Sequence, residues 1–313
     1  MMLFSRTSLF VKYRRARVIA VLCAILINLV ITDLAIAQSD ENVDHLLERG
    51  PIRKAATWMK IYVVDPALAP IFEGQTYLHE ELNLELGVAS TIFLQASTEG
   101  GEAGEIGISN LDMFGRWRPI EGGSLGFKLR DRRNFGQVDS ADFAANIGSI
   151  WRTNDSLASE PFTALIQLWW QQRFLDDRLI ITAGKVDFSA YFNHNRFADS
   201  DDTMFMSQPL ASNPVRKFPG NGLGVAVEVK PKDDFYISFG VGDANGNSLT
   251  SGFNTVGEKE YFSVVELGFT PDVPGWGKGN YRVTVNHSDR TKRSDEHVAF
   301  SFSADQDLDA RWG

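Results

Sequence analysis

LGVAVEVKPKDDFYISFGVG, residues 223–242, is the stretch whose reading decides how this 313-residue chain folds. Leu223, Val225, Val227 and Val229 alternate with Gly224, Ala226, Glu228 and Lys230. After Pro231-Lys232-Asp233-Asp234, Phe235, Ile237, Phe239 and Val241 alternate with Tyr236, Ser238, Gly240 and Gly242. A period of two puts the two sets on opposite faces of a sheet, and the Pro and Asp residues turn one strand back on the other. One face is bulky and apolar, the other small or polar. In a soluble protein that is a half-buried strand; in a bacterial outer membrane the apolar face meets lipid and the polar face a wet lumen. A second such hairpin, ALIQLWWQQRFLDDRLIITAGK, occupies residues 164–185 around Asp176-Asp177.

The first residues bear on which solvent the strands meet. Lys12, Arg14, Arg15 and Arg17 precede an apolar run from Val18 to Val30, and Ala35-Ile36-Ala37 places small residues where a signal peptidase cuts. Residues 1–37 are therefore expected to be a cleaved secretory signal rather than a retained anchor. Its removal takes away five basic residues and one acidic residue, so a chain with 31 basic and 40 acidic residues becomes one of net charge −13. An exported acidic chain is a poor nucleic-acid binder. Cys23, the sole cysteine, leaves with the signal, which excludes disulfides, thiolate nucleophiles and cysteine-zinc sites.

Residues 38–75 read as a distinct N-terminal periplasmic or plug-like segment, and residues 76–313 as strand after strand. Candidates lie near 82–97, 105–118, 122–132, 163–173, 179–187, 223–230, 235–242, 261–270, 280–288 and 296–303. Compact connections at 119–123, 176–177, 231–234 and 271–279 alternate with long segments at 133–162, 188–222 and 243–260. Short turns at one end and long loops at the other characterise outer-membrane barrels, and only a closed barrel satisfies strand backbones in lipid. The expected fold is an all-β transmembrane antiparallel β-barrel with about ten strands present.

Strand periodicity then sorts the side chains. With Leu125, Phe127 and Leu129 outward, Lys128, Arg130 and Arg132 line the lumen. Gln167, Trp169, Gln171 and Arg173 point inward if Ala164, Ile166, Leu168 and Trp170 face lipid. Arg282, Thr284 and Asn286 face in, and Glu228 and Tyr236 add to the polar lining. Aromatic faces and hydrogen-bonding side chains around water suit a neutral polyhydroxyl solute. The bland account is charge pairing across a lumen to fix its shape; a third is anion selectivity from the run Lys128, Arg130, Arg132 and Arg133. In the segment after residue 188, Asp199, Asp201 and Asp202 lack the glycine and distal glutamate of a calcium loop, and His194 has no nucleophile beside it. Neither a metal, a cofactor nor a catalytic residue is expected.

Several motifs carry a resemblance. Ala183-Gly184-Lys185-Val186-Asp187, Phe192-Asn193, Asn195-Arg196-Phe197-Ala198, Asp201-Asp202-Thr203 and Phe218-Pro219-Gly220-Asn221-Gly222-Leu223-Gly224 resemble carbohydrate-selective porins of the OprB type. Leu111-Asp112-Met113-Phe114-Gly115-Arg116-Trp117 and Gly123-Ser124-Leu125-Gly126-Phe127 fit the same family. The resemblance implies a 16-stranded outer-membrane barrel through which glucose and other mono- and oligosaccharides diffuse. It makes the loop 188–222 a constriction element, with Lys185, Asp187, Asn193, Asn195, Arg196 and Asp199 in its motif. It also implies outer-membrane lipid, a homotrimer and the barrel-assembly machinery as partners. Against that pattern the chain is expected to be incomplete at its C-terminus, with Asp305–Asp309 a turn, Arg311 opening a strand and no terminal aromatic. Two other functions stay open: a secreted or periplasmic all-β carbohydrate-binding protein or glycoside hydrolase, and an anion-selective or general diffusion porin.

Overall fold

The structure is a computed structural model. It describes Gly74, 77–97, 104–135, Val138, 140–154, 161–192, Asn195, Arg196, 205–211, Asn213, 217–253, 255–292 and 294–308. The expected signal peptide and all of the N-terminal segment but Gly74 lie outside these residues, as do Asn193, His194, Asp199, Asp201, Asp202 and Arg311.

Ten strands form one antiparallel meander in chain order: β1 (Leu84–Ala96), β2 (Glu105–Ile120), β3 (Gly123–Asn134), β4 (Phe162–Phe174), β5 (Leu179–Val186), β6 (Gly222–Lys232), β7 (Phe235–Asp243), β8 (Tyr261–Phe269), β10 (Gly277–Ser288) and β11 (His297–Gln306). A two-residue strand, β9 (Asp272–Val273), pairs with the start of β10 inside the expected 271–279 turn. β1 and β11 are paired on one side only, so the sheet is open among the described residues. Every strand expected from the alternation is present. The last runs on to Gln306, so Asp305 belongs to a strand and not to the turn expected from 305.

The connections segregate as the spacing requires. Turns at 121–122, 175–178, 233–234 and 270–276 share one end of the sheet, and the long connections share the other. Two prolines expected in turns instead sit inside strands. Pro119 lies where the β2–β3 register shifts between Trp117 and Ile120, and Pro231 where the β6–β7 register shifts between Val229 and Lys232. A ring nitrogen that cannot donate to the ladder is tolerated at such irregularities.

Side chains sort by face. Phe239, Val241, Val265, Leu267, Val285, Phe300 and Phe302 are exposed on one face, while Ser238, Glu266, Thr284, Asn286 and Ser301 are buried on the other. One expected alternation fails. Between Lys128↔Gln167 and Leu129↔Leu165 the ladder skips a residue, so Ile166 sits in a bulge and is buried rather than lipid-facing. Beyond the bulge Leu165 takes the outward position and Ala164 pairs with Arg130. The side-chain amide of Asn221 donates to the Ile166 carbonyl at 2.9 Å.

The polar face is partly roofed by the chain that leaves β5. Asp187 accepts from the Ser189 amide (3.0 Å) and hydroxyl (2.6 Å), capping the 3-10 turn Phe188–Ala190. Phe188 and Phe192, each 1% exposed, then pack with Val186, Ala226, Phe262 and Val264. Glycines make their seat. A Cβ on Gly242 would stand 2.6 Å from the Phe188 ring, and one on Gly240 would stand 2.8 Å from Phe192. Burying two such rings contributes about 1.5–3 kcal/mol each.

Candidate functional site

Next to this roof the polar face holds a cavity of about 830 Å³. Five expected lumen residues line it together: Gln167, Trp169, Gln171 and Arg173 from β4, and Glu228 from β6. The strand register explains why they meet. Arg116, Gly126, Trp169, Gly184, Gly224 and Gly242 form one row across six strands. Gly126 leaves room for the Trp169 indole, which lies where a Cβ of residue 126 would stand. The guanidinium of Arg116 sits over that indole at 5.6 Å from the ring centroid. Gln171 donates to Thr182 Oγ1 (3.1 Å), and Lys230 pairs with Glu228 (3.1 Å). Arg118 and Tyr191 add to the polar lining. Burial pushes the Tyr191 phenol up to about 12, so it stays a neutral hydroxyl.

The remaining expected residues lie elsewhere on the polar face, already engaged by protein partners. Arg130 grips Asp112 in a fork of two 2.6 Å bonds, and Lys128 reaches the same carboxylate at 2.9 Å. Arg132 donates to Asn110 (2.7 Å) and covers the Phe162 ring at 5.3 Å. Arg133 does not join this run. Strand alternation puts it with Asp131 on the opposite face, where the two pair. Tyr236 donates to Glu266 (2.8 Å) and accepts from Arg282 (2.9 Å), while Thr284 donates to the other Glu266 oxygen (2.6 Å). Glu266, 1% exposed, is the centre of this second network and was not among the expected site residues.

The loop motif is divided among structural tasks. Lys185 shares a register row with Leu168 and Leu223, and its ammonium donates to the carbonyls of Leu165 and Ser248 (2.8 Å each) and of Thr250. It thereby ties β5 to β4 and to the connection after β7. Arg196 crosses to the turn end of β10 and β11, where it pairs with Asp305 and Asp307 and donates to the Lys278 carbonyl. Among the described residues no cluster of His, Cys, Asp or Glu is placed to hold a metal ion. No described helix is long and apolar enough to cross a membrane, a statement that leaves strands untouched.

Residues 111–299 match the family model described as "Carbohydrate-selective porin, OprB family". The chain belongs to the OprB family. Among solved structures it is similar to the high-pH structure of Pseudomonas putida OprB, with a TM-score of 0.52 and 16% identity over 69% of this chain and 54% of that one. The low-pH structure of the same protein aligns with a TM-score of 0.45 and 13% identity, over 78% of this chain and 71% of that one. The chain thus spans about half the length of the high-pH structure, and the likeness is one of fold. No curated protein matches it. OprB porins are an outer-membrane β-barrel class, and the meander described above is wall of that architecture.

Arg116, Arg118, Thr182, Tyr191 and Lys230 escaped the sequence reading of the site. Arg116 lies within a recognised family motif, two residues from the β2–β3 irregularity, and its partner Trp169 is 53 positions away. Only the register that joins β2 to β3 and β3 to β4 brings them together.

Proposed function

We propose that this chain forms the wall and solute-contact surface of an outer-membrane porin that passes mono- and oligosaccharides by passive diffusion, without catalysis. The observation that supports this most is the cavity that Trp169, seated against Gly126, lines together with Gln167, Gln171, Thr182 and Tyr191. A sugar offers C–H faces to the indole and hydroxyls to amides and phenol, and each contact is weak enough for the solute to leave again. The apolar face is the surface for outer-membrane lipid, and strands paired to the free edges of β1 and β11 complete the barrel wall, because lipid satisfies no open edge. Residues 1–37 serve as the cleaved export signal and 38–75 as a periplasmic or plug-like segment. Assembly into a homotrimer by the barrel-assembly machinery belongs to the same proposal.

Swelling of proteoliposomes in iso-osmotic sugar tests the reading. Entry of glucose and maltose well above that in protein-free vesicles is expected. Vesicles that admit neither sugar would count against it, and a protein that stays monodisperse without detergent would favour the secreted carbohydrate-binding alternative.

A further inference from the structure

Charge in the cavity does not balance. Four cations line it: Arg116, Arg118, Arg173 and Lys230. Three have a carboxylate of their own. Arg118 takes Glu85, Arg173 takes Asp177 at 3.1 Å, and Lys230 takes Glu228 at 3.1 Å. Arg116 has none within ion-pair distance among the described residues. Glu85 stands opposite it in the β1–β2 register, yet that carboxylate is occupied by Arg118, with His79 at 3.6 Å. The close contact of the Arg116 guanidinium is with the Trp169 ring, and Glu85 acts on it only through space, without an ion pair. A half-buried guanidinium beside an indole keeps five N–H donors in its own plane, and a cation there without a bonded carboxylate favours an anion.

We infer that the cavity takes a sugar bearing a carboxylate, a uronate or an aldonate, and that Arg116 receives the carboxylate while Trp169 and the glutamines hold the hydroxylated body. This inference rests on the sugar-porin reading and narrows its substrate class. A bidentate Arg–carboxylate contact carries both strength and orientation, whereas a neutral sugar leaves Arg116 without a bonded carboxylate. Position matters as well as sign. Arg116 and Trp169 flank Gly126 in one row, so a pyranose over the indole brings a C6 carboxylate toward the guanidinium.

Titration calorimetry of the refolded protein in detergent micelles with D-glucuronate, D-glucose and acetate tests it. Glucuronate is expected to bind at least about tenfold more tightly than glucose, with acetate weaker than both. Arg116→Gln should bring glucuronate down to the level of glucose, and Arg116→Lys should keep part of the preference. Arg133→Gln, which removes the same charge from the opposite face, should leave the ratio unchanged. Equal binding of glucuronate and glucose by the parent protein would overturn the inference and leave the sugar reading standing. Acetate binding as tightly as glucuronate would overturn it in favour of a bare anion site. Binding of neither sugar would overturn the sugar reading itself and this inference with it.

Discussion

The indole of Trp169 occupies the space that a side chain at Gly126 would need. The contact joins β3 to β4 and sets the floor of the cavity, so Gly126 acts on the site through its missing side chain. Gly126→Val is expected to push the ring off its seat, destabilise the fold by about 1–3 kcal/mol and weaken sugar block of the current severalfold. Denaturant midpoints and glucose titrations of single-channel current measure the two effects separately.

Trp169 and Arg130 both belong to the expected lumen set, but their surroundings differ. Arg130 spends its donors on Asp112, whereas the Trp169 ring faces the cavity. Trp169→Ala should therefore weaken glucose block severalfold, and Arg130→Ala should leave it within about twofold of the parent protein. Block constants for the two variants, measured side by side, check the contrast.

Asp112 neutralises one charge where Lys128 and Arg130 bring two. Asp112→Asn leaves both cations without their shared carboxylate. Reversal potentials in a salt gradient are expected to move toward anion selectivity, because selectivity follows charge at the wall rather than the net charge of the chain. An unchanged reversal potential would place this cluster away from the ion path.

Phe188 and Phe192 hold the chain after β5 against the sheet, with Phe188–Phe262 and Phe218–Phe262 ring pairs at 5.4 and 5.6 Å. Phe188→Ala empties a buried site at a cost of about 3–5 kcal/mol, borne mainly by this segment. Larger and noisier unitary current is the expected result, together with faster proteolysis of the loop in intact vesicles. Gly240→Leu, which crowds Phe192 from beneath, should act in the same direction.

Arg196 and Asp305 form the far attachment of the same segment, with side chains only 16% and 5% exposed. A double-mutant cycle of Arg196→Ala and Asp305→Ala is expected to give a coupling of about 0.5–3 kcal/mol, little changed between low and moderate salt because buried pairs are weakly screened. Coupling near zero would mean that the pair contributes nothing to holding the loop.

Local periodicity carried most of the fold. The alternation in 223–242 suffices for β6, β7 and their faces, because a period of two is written residue by residue. What it could not show was the bulge at Ile166. A single extra residue opposite Lys128 leaves no local mark, yet it exchanges the faces of Ala164 and Leu165. The site was legible only by halves. Gln167, Trp169, Gln171, Arg173 and Glu228 are legible because each is an inward position on its own strand. Arg116 was not, since its importance depends on lying two strands from Trp169 across a glycine. The engagement of Arg130, Tyr236 and Arg282 was equally hidden, because their partners Asp112 and Glu266 are defined by register and not by spacing.

Single-channel recording in planar bilayers, with glucose and maltose added in steps, tests the porin reading most directly. Discrete unitary steps whose conductance falls in a saturable way with sugar are the expected result, and Trp169→Ala should shift that saturation to higher concentration. Unitary steps indifferent to both sugars would contradict a sugar-contacting lumen, and a membrane left silent by the refolded protein would contradict a pore.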